Sequence, residues 1–299
     1  MRLDWQVIKA DLLLLLTAFI WGAAFVAQRV GMDSLTPFYF NAIRFALGSL
    51  SLLPLIYFTY KDKEPQSFFK ELKPSLKAGF ILGVLLFLGS SFQQVGMVYT
   101  TAGKAGFITG LYVVIVPLLG IFFKQKIRIE IIIGVLFSVV GLYLLSIKED
   151  FSMDYGDFLV LICSLMFSFH VLAIAYFAPK RDCILLSAIQ FAVNSLISLF
   201  VALVLESITL QNIYDALIPL LYGGFMSAGV AYTLQVVAQR DAPPAHASIL
   251  LSLESVFAAL TGWFLLGETL SSRSFWGCVL MFSGAIVAQV YPYIFRKSK

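Results

Sequence analysis

The sequence predicts an all-α membrane protein with ten transmembrane helices, and three observations carry this prediction. Of the 299 residues, 60% are hydrophobic and only 13% are charged, whereas soluble domains hold roughly 45–50% apolar and 25% charged residues. The apolar residues fall in ten runs of about 20 residues, which is the length of helix that crosses the hydrocarbon layer of a bilayer. The second half of the chain also resembles the first half in register.

The ten predicted spans are numbered in chain order. Thr36-Pro37 opens span 2 and Pro243-Pro244 opens span 9, because proline is well tolerated in the first turn of a helix. Pro117 within span 4 permits a kink and is a predicted flexing point. The one long polar connection is residues 61–74. The spans cover residues 11–29, 38–59, 76–97, 103–123, 128–147, 156–177, 184–206, 214–237, 243–266 and 273–295.

Lysine and arginine are distributed unevenly between the two sides of the membrane. With the N-terminus in the cytoplasm, 16 of the 21 cationic residues lie on the cytoplasmic side, four lie on the other side, and Arg44 lies within span 2. The positive-inside rule therefore predicts that both termini are cytoplasmic. The apolar run from Leu12 to Ala27 lacks an A-x-A cleavage signal, so span 1 is predicted to be retained. The predicted location is the inner (plasma) membrane.

The chain repeats itself at an offset of 146 residues. This offset places Asp11 on Asp157 and the tract AIRFA on the tract AIQFA. Ten of the forty aligned positions between 11–50 and 157–196 are identical, where chance in so apolar a composition gives about four. The alignment contains no gap, which indicates a duplicated segment.

The repeat continues farther along the chain at slightly shorter offsets. An offset of 142 places Tyr112 on Glu254. An offset of 143 places one glycine pair on another, Gly134 and Gly141 on Gly277 and Gly284. The glycines of each pair are seven residues apart and share one helix face, where a neighbouring helix can approach closely. These faces either join the two halves of a monomer or pair two molecules in a homodimer.

We therefore predict two domains of five spans each, residues 1–150 and 151–299. An odd number of spans forces the two halves to insert in opposite senses, which makes an inverted repeat. This architecture is typical of secondary transporters, because two similar halves can exchange conformations and open a midplane site to each side in turn. The alternative is that the halves resemble each other through apolar composition alone.

Five tracts of the chain resemble the EamA-type family of the drug/metabolite transporter superfamily. In the first half they are LTAFIWGAAFVAQRVG, TPFYFNAIRFALGSL and YTTAGKAGFITGLYVVIVPLLG. In the second half they are APPAHASILLSLESVFAALTGWFLLGETL and WGCVLMFSGAIVA. The family often has Glu-Pro in span 9, whereas here Ser255 follows Glu254. A kink in this span is therefore less expected than in the family.

The resemblance implies a central cavity lined chiefly by spans 1, 3, 4, 6, 8 and 9. It also implies a secondary transporter that exports small organic metabolites such as amino acids, by alternating access around that cavity. An importer or an uncoupled facilitator is the alternative. The predicted partners are a small-molecule substrate, the lipid bilayer and, as a coupling ion, the proton.

Glu254 lies near the middle of span 9, about eleven residues or roughly 16 Å from either end. A carboxyl group at that depth is paired, hydrated in a cavity, or protonated. It is the first candidate for substrate contact and for proton coupling, and a structural role in pinning helices is the alternative.

Arg44 lies about two turns into span 2. Its long side chain is predicted to reach the outer interface or to bond neighbouring carbonyls, which is a structural role. The repeat places Gln190 at the equivalent position, so the two halves differ in charge there.

Polar and aromatic residues on several other spans are candidates for lining the cavity. Taken singly, each of them is better explained by an interhelical hydrogen bond worth about 0.6 kcal/mol in membranes, but taken together they indicate a hydrated path. His170 can titrate near neutral pH as a proton relay, but a packing role is favoured because its repeat counterpart is Ala24. The substrate-binding candidates are Trp21, Gln28, Gln93, Gln94, Thr109, Tyr112, His170, Tyr232, Gln235 and Ser252, together with Glu254.

Other function classes are disfavoured by what the sequence lacks. His170 and His246 are the only histidines, and neither has a second ligand four residues later, so no metal site is predicted. The three cysteines are isolated and form no C-x-x-C pair. No cofactor motif, nucleophile with a placed base or basic-aromatic groove for nucleic acid is present. We predict a protein that is not an enzyme, with loops too short for a sensor domain.

Overall fold

The protein is built of helices. The computed structural model describes residues 5–100, 102–123, 127–146, 154–266 and 271–295, and it contains no strand within these ranges. The all-α class is therefore confirmed for the described chain. The predicted domain boundary at residue 150 lies outside the described residues.

Fourteen α-helices follow one another in the described ranges. They are α1 (Trp5–Gly31), α2 (Pro37–Tyr60), α3 (Pro65–Tyr99), α4 (Ala102–Gly110), α5 (Tyr112–Phe122), α6 (Ile129–Ser146), α7 (Tyr155–Phe177), α8 (Cys183–Leu205), α9 (Leu210–Asp215), α10 (Leu217–Leu221), α11 (Thr233–Gln239), α12 (Pro244–Leu251), α13 (Glu254–Leu266) and α14 (Ser272–Phe295). A 3₁₀ turn, Ala178–Lys180, follows α7, and a π-helical segment, Tyr222–Tyr232, joins α10 to α11.

Eight helical stretches in the described ranges are long and apolar enough to cross a membrane, and they coincide with predicted spans 1 to 4 and 6 to 9. Spans 5 and 10 coincide with shorter apolar stretches, Ile129–Leu145 and Ser272–Ala288. Large apolar side chains also face outward: Phe122, Ile218 and Phe264 are 80% exposed or more. A multi-pass membrane protein is the consequence, since such a surface is stable in lipid and not in water.

The start of α3 corrects the sequence prediction. The polar connection predicted over residues 61–74 is wrong for most of its length, because α3 already begins at Pro65. Proline fits the first helical position, where its missing N–H has no partner to lose. The lysines and glutamate that follow are good helix formers in water. The charged residues at 70–77 marked the limit of the predicted apolar span, but α3 continues through them.

Predicted spans 4 and 9 are each interrupted. The first break falls at Leu111, between α4 and α5, with φ −61° and ψ −12°. The second falls at Ser252 and Leu253, between α12 and α13, where Ser252 has φ −62° and ψ −16°. The flexing point predicted at Pro117 thus lies six residues from the observed break. The break in span 9 forms without the proline of the family pattern, so packing rather than a local breaker produces it.

Span 8 contains the π-helical segment Tyr222–Tyr232. Its sequence, YGGFMSAGVAY, is rich in glycine, which tolerates a widened turn and a close neighbour. A Cβ on Gly224 would lie 2.6 Å from the Cβ of Leu47 in α2. The segment therefore packs its backbone directly against α2, which a regular helix with side chains there could not do.

Helices α2 and α8 are joined by a reciprocal pair of hydrogen bonds. The hydroxyl of Ser49 donates to the carbonyl of Ala188 at 2.9 Å, and the hydroxyl of Ser195 donates to the carbonyl of Ala42 at 2.8 Å. The offset of 146 places Ser49 on Ser195 and Ala42 on Ala188. The same bond is thus made in both directions, which is what a two-fold axis between the helices would produce.

Helices α6 and α14 pack backbone to backbone through their glycines. A Cβ on Gly134 would lie 3.0 Å from the carbonyl oxygen of Gly284, and one on Gly141 would lie 2.6 Å from that of Gly277. These contacts are again reciprocal under the offset of 143. The glycine faces therefore meet within one molecule, which is one of the two arrangements that the sequence leaves open.

The Gly141 contact leads to a prediction about stability. Because backbone atoms of α14 occupy the space of a Cβ, we expect Gly141→Ala to destabilise the protein by about 1–3 kcal/mol. The control is Gly106→Ala in α4, where a Cβ would meet nothing within 4 Å. Thermal unfolding in detergent should show a lowered Tm for Gly141→Ala only. Equal Tm values for the two variants would contradict the close approach.

Candidate functional site

A cavity lies among the helices at the level of the two breaks. Its volume is about 40 Å³. The lining residues come from predicted spans 1, 2, 3, 4, 6, 8 and 9, one more span than the resemblance implies. They are Trp21, Phe25, Gln28, Arg44, Gln93, Thr109, Tyr112, Phe167, His170, Val171, Ser227, Tyr232, Gln235, Leu251 and Glu254.

Nine of the eleven candidates from the sequence border this cavity, and Gln94 and Ser252 do not. Gln94 is buried on the neighbouring face of α3, where its Nε2 donates to the carbonyl of Gln28 at 3.4 Å. Consecutive residues of a helix point about 100° apart, so Gln93 and Gln94 cannot face the same space. Ser252 lies at the helix break and donates to the carbonyl of Ile249 at 2.8 Å.

Tyr112 and Glu254 meet in the cavity. The phenol of Tyr112 donates to Oε1 of Glu254 at 3.1 Å, and both residues are buried. Each is the first residue of the helix that follows a break, α5 and α13 respectively. A helix N-terminus carries a partial positive charge that favours an anion. Glu254, as the first residue of α13, therefore lies where the helix stabilises a negative side chain. The two residues that the offset of 142 aligns are thus direct partners.

Arg44 is buried inside the bundle, with 2% of its surface exposed. Its Nε donates to the side-chain oxygen of Asn41 at 3.0 Å and its Nη1 to that of Gln28 at 2.8 Å. The guanidinium also lies 4.7 Å from the ring centroid of Phe45, within the range of cation–π attraction. Of the two predicted alternatives, these contacts match bonding to neighbouring oxygen atoms, and the side chain lies at the cavity rather than at the protein surface.

No carboxylate of the described chain lies within 4 Å of Arg44. Glu254 likewise forms no ion pair with a described residue, and Tyr112 is its hydrogen-bond partner. The cavity therefore holds a guanidinium and a carboxyl group that do not pair with each other directly. Gln235 adds a buried side-chain oxygen with no partner among the described residues. Buried polar groups normally have partners, so these groups are the ones most suited to a polar ligand.

His170 borders the cavity and also joins two helices. Its Nε2 donates to the side-chain oxygen of Gln190 at 2.8 Å, which links α7 to α8. Gln190 stands at the repeat position of Arg44. His170 can therefore have the packing role that the sequence favours and also line the cavity.

One wall of the cavity is aromatic. The rings of Trp21 and Tyr232 lie 4.4 Å apart between centroids, and the indole N–H of Trp21 donates to the carbonyl of Ser227 at 3.3 Å. Ser227 was missed by the sequence reasoning because it lies five residues before Tyr232. Those positions share a face in a π-helix and not in an α-helix. Phe25, Phe167, Val171 and Leu251 were also missed, because an apolar residue in an apolar span carries no distinguishing signal.

The described residues contain no group of three His, Cys, Asp or Glu side chains placed to hold a metal ion. The three cysteines, Cys163, Cys183 and Cys278, are buried and form no disulfide. The polar chemistry of the cavity therefore rests on amide, phenol, imidazole, guanidinium and carboxyl groups.

The chain is similar to transporters along nearly its whole length. A protein from Archaeoglobus fulgidus named as an uncharacterized transporter is 33% identical over 284 residues, which are 94% of this chain and 86% of that protein. The uncharacterized inner membrane transporter YedA of Escherichia coli is 23% identical and is covered to 89%. One solved crystal structure superposes with a TM-score of 0.78 at 16% identity over 96% of this chain and 99% of that chain, a likeness of fold alone.

The model of one family matches the chain twice. The EamA-like transporter family matches residues 8–147 and again residues 154–289. The two matches together cover most of the 299 residues and contain every residue that borders the cavity. The resemblance drawn from the five sequence tracts is thereby confirmed. This chain belongs to the EamA-like transporter family.

Proposed function

We propose that the protein is a secondary transporter that carries a small zwitterionic metabolite, such as an amino acid, across the inner membrane by alternating access. The observation that carries this proposal is the cavity in which Arg44 and Glu254 stand without pairing to each other. Family membership supports a transporter, and the relatives named as transporters support it further. The outward direction of transport is proposed from the family resemblance.

The proposed architecture is ten spans in two inverted repeats, residues 1–150 and 151–299, with both termini in the cytoplasm. The two family matches, over residues 8–147 and 154–289, support one repeat in each half. The reciprocal contacts between α2 and α8, and between α6 and α14, support a two-fold axis between the halves. The 16 to 4 distribution of cationic residues supports the orientation.

The charges in the cavity indicate the substrate class. Placing an isolated charge in an apolar bundle is costly, and a ligand of opposite charge offsets that cost. A substrate carboxylate fits the guanidinium of Arg44, because planar guanidinium groups bind carboxylates through two hydrogen bonds. A substrate ammonium fits Glu254, and the free oxygen of Gln235 is a further acceptor. Trp21 and Tyr232 provide an apolar wall for the remainder of the molecule.

The size of the cavity requires motion. A cavity of about 40 Å³ accommodates a few water molecules, and an amino acid needs more space than that. The helices that cross the cavity must therefore move apart to admit a substrate. The breaks at Leu111 and at Ser252 are the places where the two crossing spans can bend with the least loss of backbone hydrogen bonds.

Transport itself is tested by flux. Untargeted metabolite profiling of cells with and without overexpressed protein should identify a compound depleted inside the producing cells. We expect the purified protein in sealed proteoliposomes to move that compound at a rate above that of empty liposomes. Chemical conversion of the compound without flux would overturn the proposed function.

Proton coupling is proposed through Glu254. Because Glu254→Gln keeps an acceptor for the Tyr112 phenol but cannot exchange a proton, we expect it to abolish the dependence of flux on a pH gradient. Flux driven by a saturating substrate gradient should persist in the same proteoliposomes, with a raised half-saturating concentration because the partner of the substrate ammonium has lost its charge. The matched control is Asp62→Asn, which changes an exposed carboxylate in the loop between α2 and α3. A pH-gradient dependence that survives in Glu254→Gln would exclude this residue as the coupling group.

Recognition of the substrate carboxylate is proposed through Arg44. Since a hydrogen-bonded ion pair contributes about 1.5–3 kcal/mol, we expect Arg44→Gln to raise the half-saturating concentration of a zwitterionic substrate about 10- to 100-fold. A decarboxylated analogue of the same substrate should be affected far less. Arg29→Gln is the control, because Arg29 pairs with Asp33 in an exposed contact outside the cavity. Equal effects on substrate and analogue would contradict the assignment.

A further inference from the structure

Two polar contacts connect different helices at a distance from the cavity. Nε2 of His246, in α12, lies 2.8 Å from Oδ1 of Asp11, in α1. Nζ of Lys104, in α4, lies 3.2 Å from Oδ2 of Asp157, in α7. We name them the α1–α12 latch and the α4–α7 latch. Each one joins the part of the chain in the first family match to the part in the second.

The two latches lie at opposite ends of the bundle. Asp11 is near the start of α1, about ten residues or roughly 15 Å before Trp21 in the cavity wall. At the other end of α1, Gln28 accepts a hydrogen bond from Gln94 near the end of α3. Just beyond that helix, the hydroxyl of Thr100 donates to Asp157. The cavity therefore lies between the two latches.

The latches are also equivalent under the repeat. The offset of 146 places Asp11 on Asp157, and the offset of 142 places Lys104 on His246. The same contact, an aspartate at the start of one helix with a basic side chain at the start of a broken span, is thus made once at each end. Each aspartate is at least partly buried, with side-chain exposures of 21% for Asp11 and 3% for Asp157.

The two latches differ in their supporting bonds. Asp157 also accepts hydrogen bonds from Thr100 and from the backbone N–H of Asp154, so it stays in place when Lys104 is removed. Asp11 has His246 as its hydrogen-bond partner in the described chain. The α4–α7 latch therefore has additional support, which includes a second contact of Lys104 with Asp154 at 3.6 Å, and the α1–α12 latch rests on one bond.

We propose that these contacts are the closures of the two mouths of the cavity, so that Asp11 and His246 must separate to open one face and Lys104 and Asp157 to open the other. The proposal rests on the proposed transport function. Both latches are closed in this structure, and the cavity between them is narrow. Alternating access then requires that one latch stay closed while the other opens, because two open mouths would make a leak.

The test measures access to the cavity from each side. Ser227→Cys places a thiol in the cavity wall of a protein whose three buried cysteines are replaced by alanine. His246→Ala and Lys104→Ala, at equivalent positions, each remove one latch. A membrane-impermeant maleimide is applied to right-side-out and to inside-out vesicles. We expect His246→Ala to raise labelling about five-fold from one side and Lys104→Ala to raise it similarly from the opposite side.

The controls separate a closure from general loosening. Arg29→Ala removes an exposed ion pair within α1 and the following loop, and it should leave labelling unchanged from both sides. His246→Lys, which installs the basic residue of the other latch, should restore closure. If His246→Ala does not fold, Asp11→Ala replaces it. Unchanged labelling, or an increase from the same side in both variants, would overturn the proposal.

The labelling is performed without substrate, so its outcome is independent of the flux experiment. Opposite one-sided increases in a protein that shows no flux would leave the latches in place and remove the proposed transport function. Normal flux with unchanged labelling would support the proposed transport function and overturn the assignment of the two contacts as closures.

Discussion

Charged and amide side chains inside an apolar helical bundle persist only where the protein supplies partners for them, because lipid offers none. In this protein most of the polar groups around the cavity have such partners, and the side-chain oxygen of Gln235 is an exception. Arg44 is held by Asn41 and Gln28, and Glu254 by the Tyr112 phenol. Both helix breaks lie at the same level, so the free ends of α5 and α13 face the polar interior rather than lipid. The arrangement of the surrounding helices follows from the need to enclose these groups.

A second constraint follows from the proposed alternating access, under which one cavity must open to both faces of the membrane. The contacts between the halves occur in pairs: serine to carbonyl between α2 and α8, and glycine to glycine between α6 and α14. Paired contacts of equal chemistry are compatible with two conformations of similar free energy, which the proposed alternating access requires. The two halves differ where the cavity is charged. Arg44 and Gln190 occupy equivalent positions of the repeat but differ in charge, so the charge around the cavity is asymmetric although the helix contacts are paired.

The sequence predicted the positions of the helices well and their interruptions poorly. Apolar run length is a local property, so the predicted span 38–59 and the observed Pro37–Tyr60 nearly coincide. A break is a tertiary property in this case. The interruption at Ser252 has no proline, and the one in span 4 precedes Pro117 rather than occurring at it. Polar and aromatic residues in the sequence predicted nine positions of the cavity lining. Helical periodicity did not show which of Gln93 and Gln94 faces the cavity, and it did not predict Ser227, which lies in the π-helical segment.

The sequence by itself determined that the chain is a multi-pass helical membrane protein, since composition and run length leave no other way to bury its backbone polar groups. It also determined the offsets that align the second half of the chain with the first, because these follow from residue identities alone. Only the tertiary structure decided which polar side chains meet. Arg44 turns inward because Gln28 and Asn41 are positioned to receive it, and Tyr112 meets Glu254 because two broken helices cross. Such pairings join residues 142 positions apart for Tyr112 and Glu254 and 235 apart for Asp11 and His246, and no local pattern specifies them.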